Sequence, residues 1–154
     1  MTGLTKTGVT KTGLTNRLMS VVALLAVCGI AVSSLSLQHH YATSKTAYCE
    51  IGTTFNCDIV NRSEYSSIVG IPVALIGMLG YAALAGLATV YRERRDTPAI
   101  LFGGAAAGLA FALYLTYIEG HVLGVWCILC LSSLGLIATT TIVASVIWWK
   151  GSNE

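Results

Sequence analysis

Four of the five cysteines stand in two pairs. Cys49 and Cys57 have seven residues between them, and Cys127 and Cys130 form Cys-Ile-Leu-Cys. Paired thiols staple a fold, hold a metal as thiolates, or pass electrons by thiolate attack on a disulfide. A Cys-x7-Cys pair is not the usual spacing of a zinc knuckle, so no metal site is expected. Two structural disulfides or a redox relay remain open on spacing alone. Position favours the relay. Cys127 opens a long apolar run, so it falls at a helix N-terminus, where free amide N–H groups and the helix dipole stabilise a thiolate. Cys130 comes three residues later, ~4.5 Å deeper along the axis. Cys127 is expected to face the aqueous loop, and Cys130 the lipid edge, within reach of a membrane-soluble oxidant. A staple has no need of that arrangement. Cys28 lies inside an apolar run, where a free cysteine is a small hydrophobe.

The rest of the chain must hold these residues in a membrane. Charged residues are 10% of the 154, hydrophobic residues 55%, and mean hydropathy is +0.73, too few charges for a soluble surface. The net charge of +2 gives no case for nucleic acid. Four uncharged runs are long enough to span a bilayer: about 18–37, 68–91, 99–118 and 127–149. Pro72 and Pro98 sit where a first helical turn tolerates proline. Trp148 and Trp149 mark a membrane boundary. Gly77, Gly80, Gly86, Gly103, Gly104 and Gly108 should let helices approach closely. The expectation is an all-α, polytopic membrane four-helix bundle over 18–149, with a capping loop outside the cytoplasm.

Basic residues orient it. Lys6, Lys11, Arg17, Arg92, Arg94, Arg95 and Lys150, seven of nine, fall on one side; Lys45 and Arg62 fall on the other. The positive-inside rule makes both termini cytoplasmic and turns loops 38–67 and 119–126 outward, where disulfides persist. Residues 1–17, which contain three Thr-Gly-x-Thr-x pentapeptides, read as a disordered cytoplasmic tail, and 150–154 as a second tail. Ala31-Val32-Ser33 resembles a signal-cleavage site, but the apolar run continues past it, which favours a retained first span.

The order Cys-x7-Cys, a serine, a Gly-x-Pro-opened helix and Cys-x-x-Cys on a fourth helix resembles the vitamin K epoxide reductase family. Cys49 to Ser63 carries the loop pair and, six residues after Cys57, the family's serine; Gly70-Ile71-Pro72 and Gly77 resemble the second helix of bacterial members. The resemblance implies a four-helix bundle around a quinone (ubiquinone or menaquinone) with the outer loop as a cap. It implies roles as well. Cys130 faces the quinone, Cys127 resolves with it and exchanges with Cys57, and Cys49 exchanges with a thioredoxin-fold, DsbA-like partner. Ser63 and Ser66 fall near the quinone. The function implied is disulfide generation in a bacterial cytoplasmic (inner) membrane, the partners being that thiol protein and membrane lipid. The alternative is a non-enzymatic bundle with two structural disulfides.

Two departures argue against epoxide reduction. Ser66 stands where animal members have asparagine, and Leu134 where they have tyrosine four residues after the Cys-x-x-Cys. Many bacterial members carry a fused thioredoxin-like domain after the bundle; with Glu154 the last residue here, the partner is expected to be a separate protein. Glu119 and His121, beside Cys127, could hold a proton, although solvation at the surface is the simpler expectation. His39, His40 and Tyr41 read as interfacial, with a second possibility that they line the quinone mouth. Tyr114 and Tyr117 read as interface anchors.

Reporter fusions check the orientation. Fusions after Arg95 and Glu154 should read cytoplasmic, and an insertion near Lys45 extracytoplasmic; a cytoplasmic signal at Lys45 would put the cysteine pairs on the reducing side.

Overall fold

A computed structural model describes residues 5–41 and 50–153. Four long helices form the body: α1 (Thr5–Tyr41), α3 (Val73–Thr89), α4 (Thr97–Ile118) and α5 (Ile128–Ser152). Each packs on two neighbours, α1 on α3 and α5, and α4 on α3 and α5, which closes a four-helix ring. Gly13–Tyr41, Thr97–Leu123 and Ile128–Ser152 are long and apolar enough to cross a membrane. With α3 as a shorter apolar helix, this is an all-α membrane fold.

The short helix α2 (Cys57–Asn61) lies over one end. It follows a hairpin of β1 (Glu50–Ile51) and β2 (Phe55–Asn56) and precedes a second hairpin of β3 (Ser67–Ile68) and β4 (Ile71–Pro72). Asn56 starts α2 by accepting the Ile59 N–H at 3.0 Å.

The second span begins later than the apolar run suggests. Ser67 pairs with Pro72 and Ile68 with Ile71, leaving Val69 (φ 54°) and Gly70 (φ 81°) as the two-residue turn. Positive φ at both positions is what a tight hairpin of this kind requires. The hairpin takes up 67–72, and the helix keeps 17 residues, ~26 Å of rise. The expected disordered tail is also corrected, since α1 is helical from Thr5. Threonine and glycine are weak helix formers, but the segment has no proline, and extending an existing helix adds a hydrogen bond per residue without a new nucleus.

A core of Met19, Val22, Ala26, Leu84, Ala88, Leu101, Ala105, Ala144 and Ile147 fills the bundle at the end away from α2. The expected close contact holds at Gly77 and Gly108, where an added Cβ would lie 3.2 Å from Ser33 and 3.3 Å from Ile137, but not at every glycine named for it. A Cβ at Gly80, Gly86 or Gly103 would meet nothing within 4 Å, whereas one at Gly29 would overlap the Tyr81 ring. Gly29 thus admits the aromatic ring between α1 and α5, where the Tyr81 hydroxyl donates to the Ser133 carbonyl at 2.9 Å.

Gly29→Ala should therefore destabilise the bundle by about 1–3 kcal/mol through overpacking. Gly103→Ala, which meets open space, should be neutral or stabilising by up to about 1 kcal/mol. Thermal unfolding in detergent compares the two, and equal losses would refute this role for Gly29.

Candidate functional site

The helix ends converge at the capped end of the bundle. Val125 and Trp126 approach β2 in extended form: the Trp126 N–H donates to the Thr54 carbonyl at 2.9 Å, and the Asn56 N–H to the Trp126 carbonyl at 3.0 Å. Those bonds fix the residues just before Cys57 against the residue just before Cys127. In consequence Cys57 and Cys127, both with no exposed surface, pack in one cluster with Val60, and Leu123, Val125, Leu129 and Cys130 surround it. Asn61, buried one turn after Cys57, donates to the Cys57 carbonyl at 2.9 Å and to the Cys127 sulfur at 3.8 Å. It ties α2 to Cys127 from within the cluster.

Cys127 is the N-cap of α5, and its sulfur accepts the Cys130 N–H at 3.3 Å. The Cys130 thiol, the Cys130 amide and the Leu129 amide hold the Cys127 thiol below its ordinary range; burial and the Glu119 carboxylate push against them. This is the thiolate stabilisation expected of a cysteine at a helix start. Cys57 is disulfide-bonded, so it offers no thiolate to a metal, while Cys28, Cys127 and Cys130 are free. Cys49 lies outside the described residues. Cys28 is exposed on the outer face of α1, away from the cluster.

Cys130 turns the other way. It lines a cavity of ≈ 570 Å³ among α1, α3, α4 and α5, whereas Cys127 does not. The opening follows from composition, because Ala74, Gly77, Gly80, Gly104 and Gly108 leave its walls without large side chains. The walls are mostly apolar, with hydroxyls from Tyr81 and Ser133 beside Cys130. Ser63 and Ser66 also reach this cavity, but each donates back to its own segment, to the Val60 carbonyl at 2.8 Å and the Ser63 carbonyl at 2.7 Å. They shape its rim.

Glu119 overturns the expectation of a solvated loop residue. A π-helical turn, Glu119–Leu123, carries it inward to 2% exposure, and its Oε2 accepts the Cys127 N–H at 3.2 Å. His121, on the same turn, stays exposed and stacks on Tyr117. The histidines at the end of α1 divide too. His39 is buried with Nδ1 3.1 Å from Asp58 Oδ1, while His40 contacts the Asn61 carbonyl and lines the cavity. Tyr41 and Tyr114 are exposed.

Residues 20–145 match the model of the vitamin K epoxide reductase family. The chain belongs to that family. Its members are membrane oxidoreductases that couple thiols and disulfides to quinones. The residues here fit such an acceptor: the cavity volume lies within the ~300–1,000 Å³ of small-molecule sites, and apolar walls with a few converging polar groups suit a quinone ring. Leu134, at the position of the family's tyrosine, is absent from the cavity wall among the described residues, and the phenols there come instead from Tyr65 and from Tyr81 on α3. Asn61 and Tyr81 escaped the reading of the sequence. A polar residue within an otherwise apolar helix, as Tyr81 is, was the available signal; Asn61, in a polar loop, gave none.

The lowered Cys127 thiol has a pH consequence. A depressed value means that thiolate is present from below the ordinary ~8.5 upward and is lost as pH falls through the lowered value. Ultraviolet thiolate absorbance of the reduced Cys127–Cys130 pair should show its first step below ~8.5, and Cys127→Ser should remove that step. Its persistence in the variant would assign it to another thiol.

Proposed function

We propose that this chain is a membrane thiol:quinone oxidoreductase that generates disulfides. A reduced thioredoxin-fold protein outside the cytoplasm gives electrons to Cys49 and Cys57, which pass them to Cys127 and Cys130 and on to ubiquinone or menaquinone. The chain sits in a bacterial cytoplasmic membrane, with both termini cytoplasmic. The observation that carries this reading is the division of one Cys-x-x-Cys between two surroundings: Cys127 against the capping helix, Cys130 against the cavity.

Each step is thiolate attack through a mixed disulfide. The partner's thiolate attacks the cap disulfide and leaves oxidised, with Cys49 and Cys57 reduced. The Cys57 thiolate attacks the Cys127–Cys130 disulfide at Cys127 and releases Cys130; Cys49 then attacks Cys57, frees Cys127 and restores the cap disulfide. The inner pair now holds two electrons, which corresponds to free Cys127 and Cys130 beside a disulfide-bonded Cys57. A quinone supplies an acceptor for two electrons and two protons. Cys130 presents its sulfur at the cavity wall, and the apolar walls exclude water from it. Burial of Cys57 and Cys127 means that the cap must shift for the sulfurs to exchange.

Quinone reduction by a reduced thioredoxin-fold donor, with the chain in proteoliposomes, tests the activity, and loss by at least about a hundredfold is expected for Cys130→Ser. An inner pair that stays oxidised throughout would instead fit structural disulfides. The route has its own check. With Cys49 and Cys130 replaced by serine, mild oxidation should join Cys57 to Cys127 in yields about tenfold above those for Cys57 and Cys130 in the Cys49→Ser, Cys127→Ser variant. Equal yields would refute the route.

A further inference from the structure

The cavity wall holds one group that the cysteine relay does not use. Glu119 is almost fully buried at the end of a membrane helix, and its Oε2 accepts the Cys127 N–H, which carries no positive charge. A carboxyl kept in such a place is costly, and ionisable groups inside membrane bundles mark proton or ion paths. Its position is built. The wide π turn swings Glu119 inward, Gly124 (φ 65°) ends the turn, and Gly120 leaves room for the Trp126 ring, which a Cβ there would approach to 2.9 Å. Such π turns recur at functional sites. The same carboxyl shares the cavity wall with Cys130.

We propose that Glu119 is the proton acceptor for Cys130. Its carboxylate takes the Cys130 S–H proton as that sulfur enters the reaction at the cavity wall, and it gives the proton up on the cavity side. This rests on the thiol:quinone reading. Oxidation of the inner pair forms the Cys127–Cys130 bond and releases two electrons and two protons. The electrons pass to the quinone; the Cys130 proton follows them through Glu119. The Cys127 proton leaves to water on the cap side, and water supplies the second proton of the hydroquinone. Of the other groups at the cavity, the Tyr81 hydroxyl is already donated to Ser133 and His40 Nδ1 lies against the Asn61 carbonyl, while His121 faces solvent, which leaves Glu119 as the base on the wall it shares with Cys130.

Glu119→Gln keeps the shape and an oxygen for the Cys127 amide but cannot take the proton. Donor-driven quinone reduction should fall about a hundredfold, the ordinary size of a general acid–base contribution. The Cys127 thiolate step should move to lower pH at the same time, because the carboxylate that opposes ionisation is gone. A merely structural defect would not favour the thiolate while slowing turnover. A second measurement needs neither quinone nor variant. The infrared difference between the oxidised and reduced inner pair, poised electrochemically in wild-type protein, should contain the carbonyl stretch of a carboxylic acid. Turnover of Glu119→Gln within about threefold of wild type, or an infrared difference without that carbonyl signal, would overturn the proposal. A wild-type protein that gives the signal yet reduces no quinone would sink the acceptor assignment, while the coupling of Glu119 to Cys130 would stand.

Discussion

Two main-chain hydrogen bonds between Trp126 and the strand at Thr54–Asn56 govern the functional end of the molecule. They join a polar loop to the start of an apolar helix at the residues that immediately precede the two buried cysteines. Side-chain contacts then follow from that seam: Asn61 reaches Cys127, Val60 closes the cluster, and the His39–Asp58 contact holds the far side of α2 to the end of α1. Each of these bonds is worth little alone, on the order of 1 kcal/mol. A cap held by a few such bonds can open at modest cost, as the exchange proposed for its cysteines requires.

The bundle itself is divided along its length. At the end away from the cap, medium-sized aliphatic side chains meet at the axis. Towards the cap, glycine and alanine take over α3 and the middle of α4, and a cavity opens for want of side chains to fill it. Tyr81 stands at the border, its ring in the packed layer and its hydroxyl near Cys130's side of the helix bundle.

Much of this could be read from the residues. Hydropathy located the four apolar segments, because lipid demands length and the absence of charge whatever the packing. The Cys-x-x-Cys announced its geometry in part, because three residues of helix fix a depth. Tertiary closure was harder to foresee. Glu119 reads as a loop residue on polarity, and only the π turn, which has no sequence code of its own, takes it inside. The run from Ile68 reads as helix on hydropathy, yet Val69-Gly70 turns it into a hairpin, since apolarity does not distinguish strand from helix over so few residues. The glycines announced small volume but not whether a neighbour would use it.

The N-cap of α5 has an energetic meaning of its own. The Cys127 sulfur satisfies an amide that would otherwise lack an intrahelical partner, and it does so best as a thiolate. Helix capping is worth ~0.5–2 kcal/mol, and that amount accrues to the dithiol form, since a sulfur drawn into a disulfide with Cys130 loses both its charge and its freedom to cap. For a two-electron couple, in which ~30 mV corresponds to ~1.4 kcal/mol, the cap alone raises the reduction potential of the pair by roughly 10–40 mV. The first turn of a membrane helix thereby makes its own disulfide a stronger oxidant.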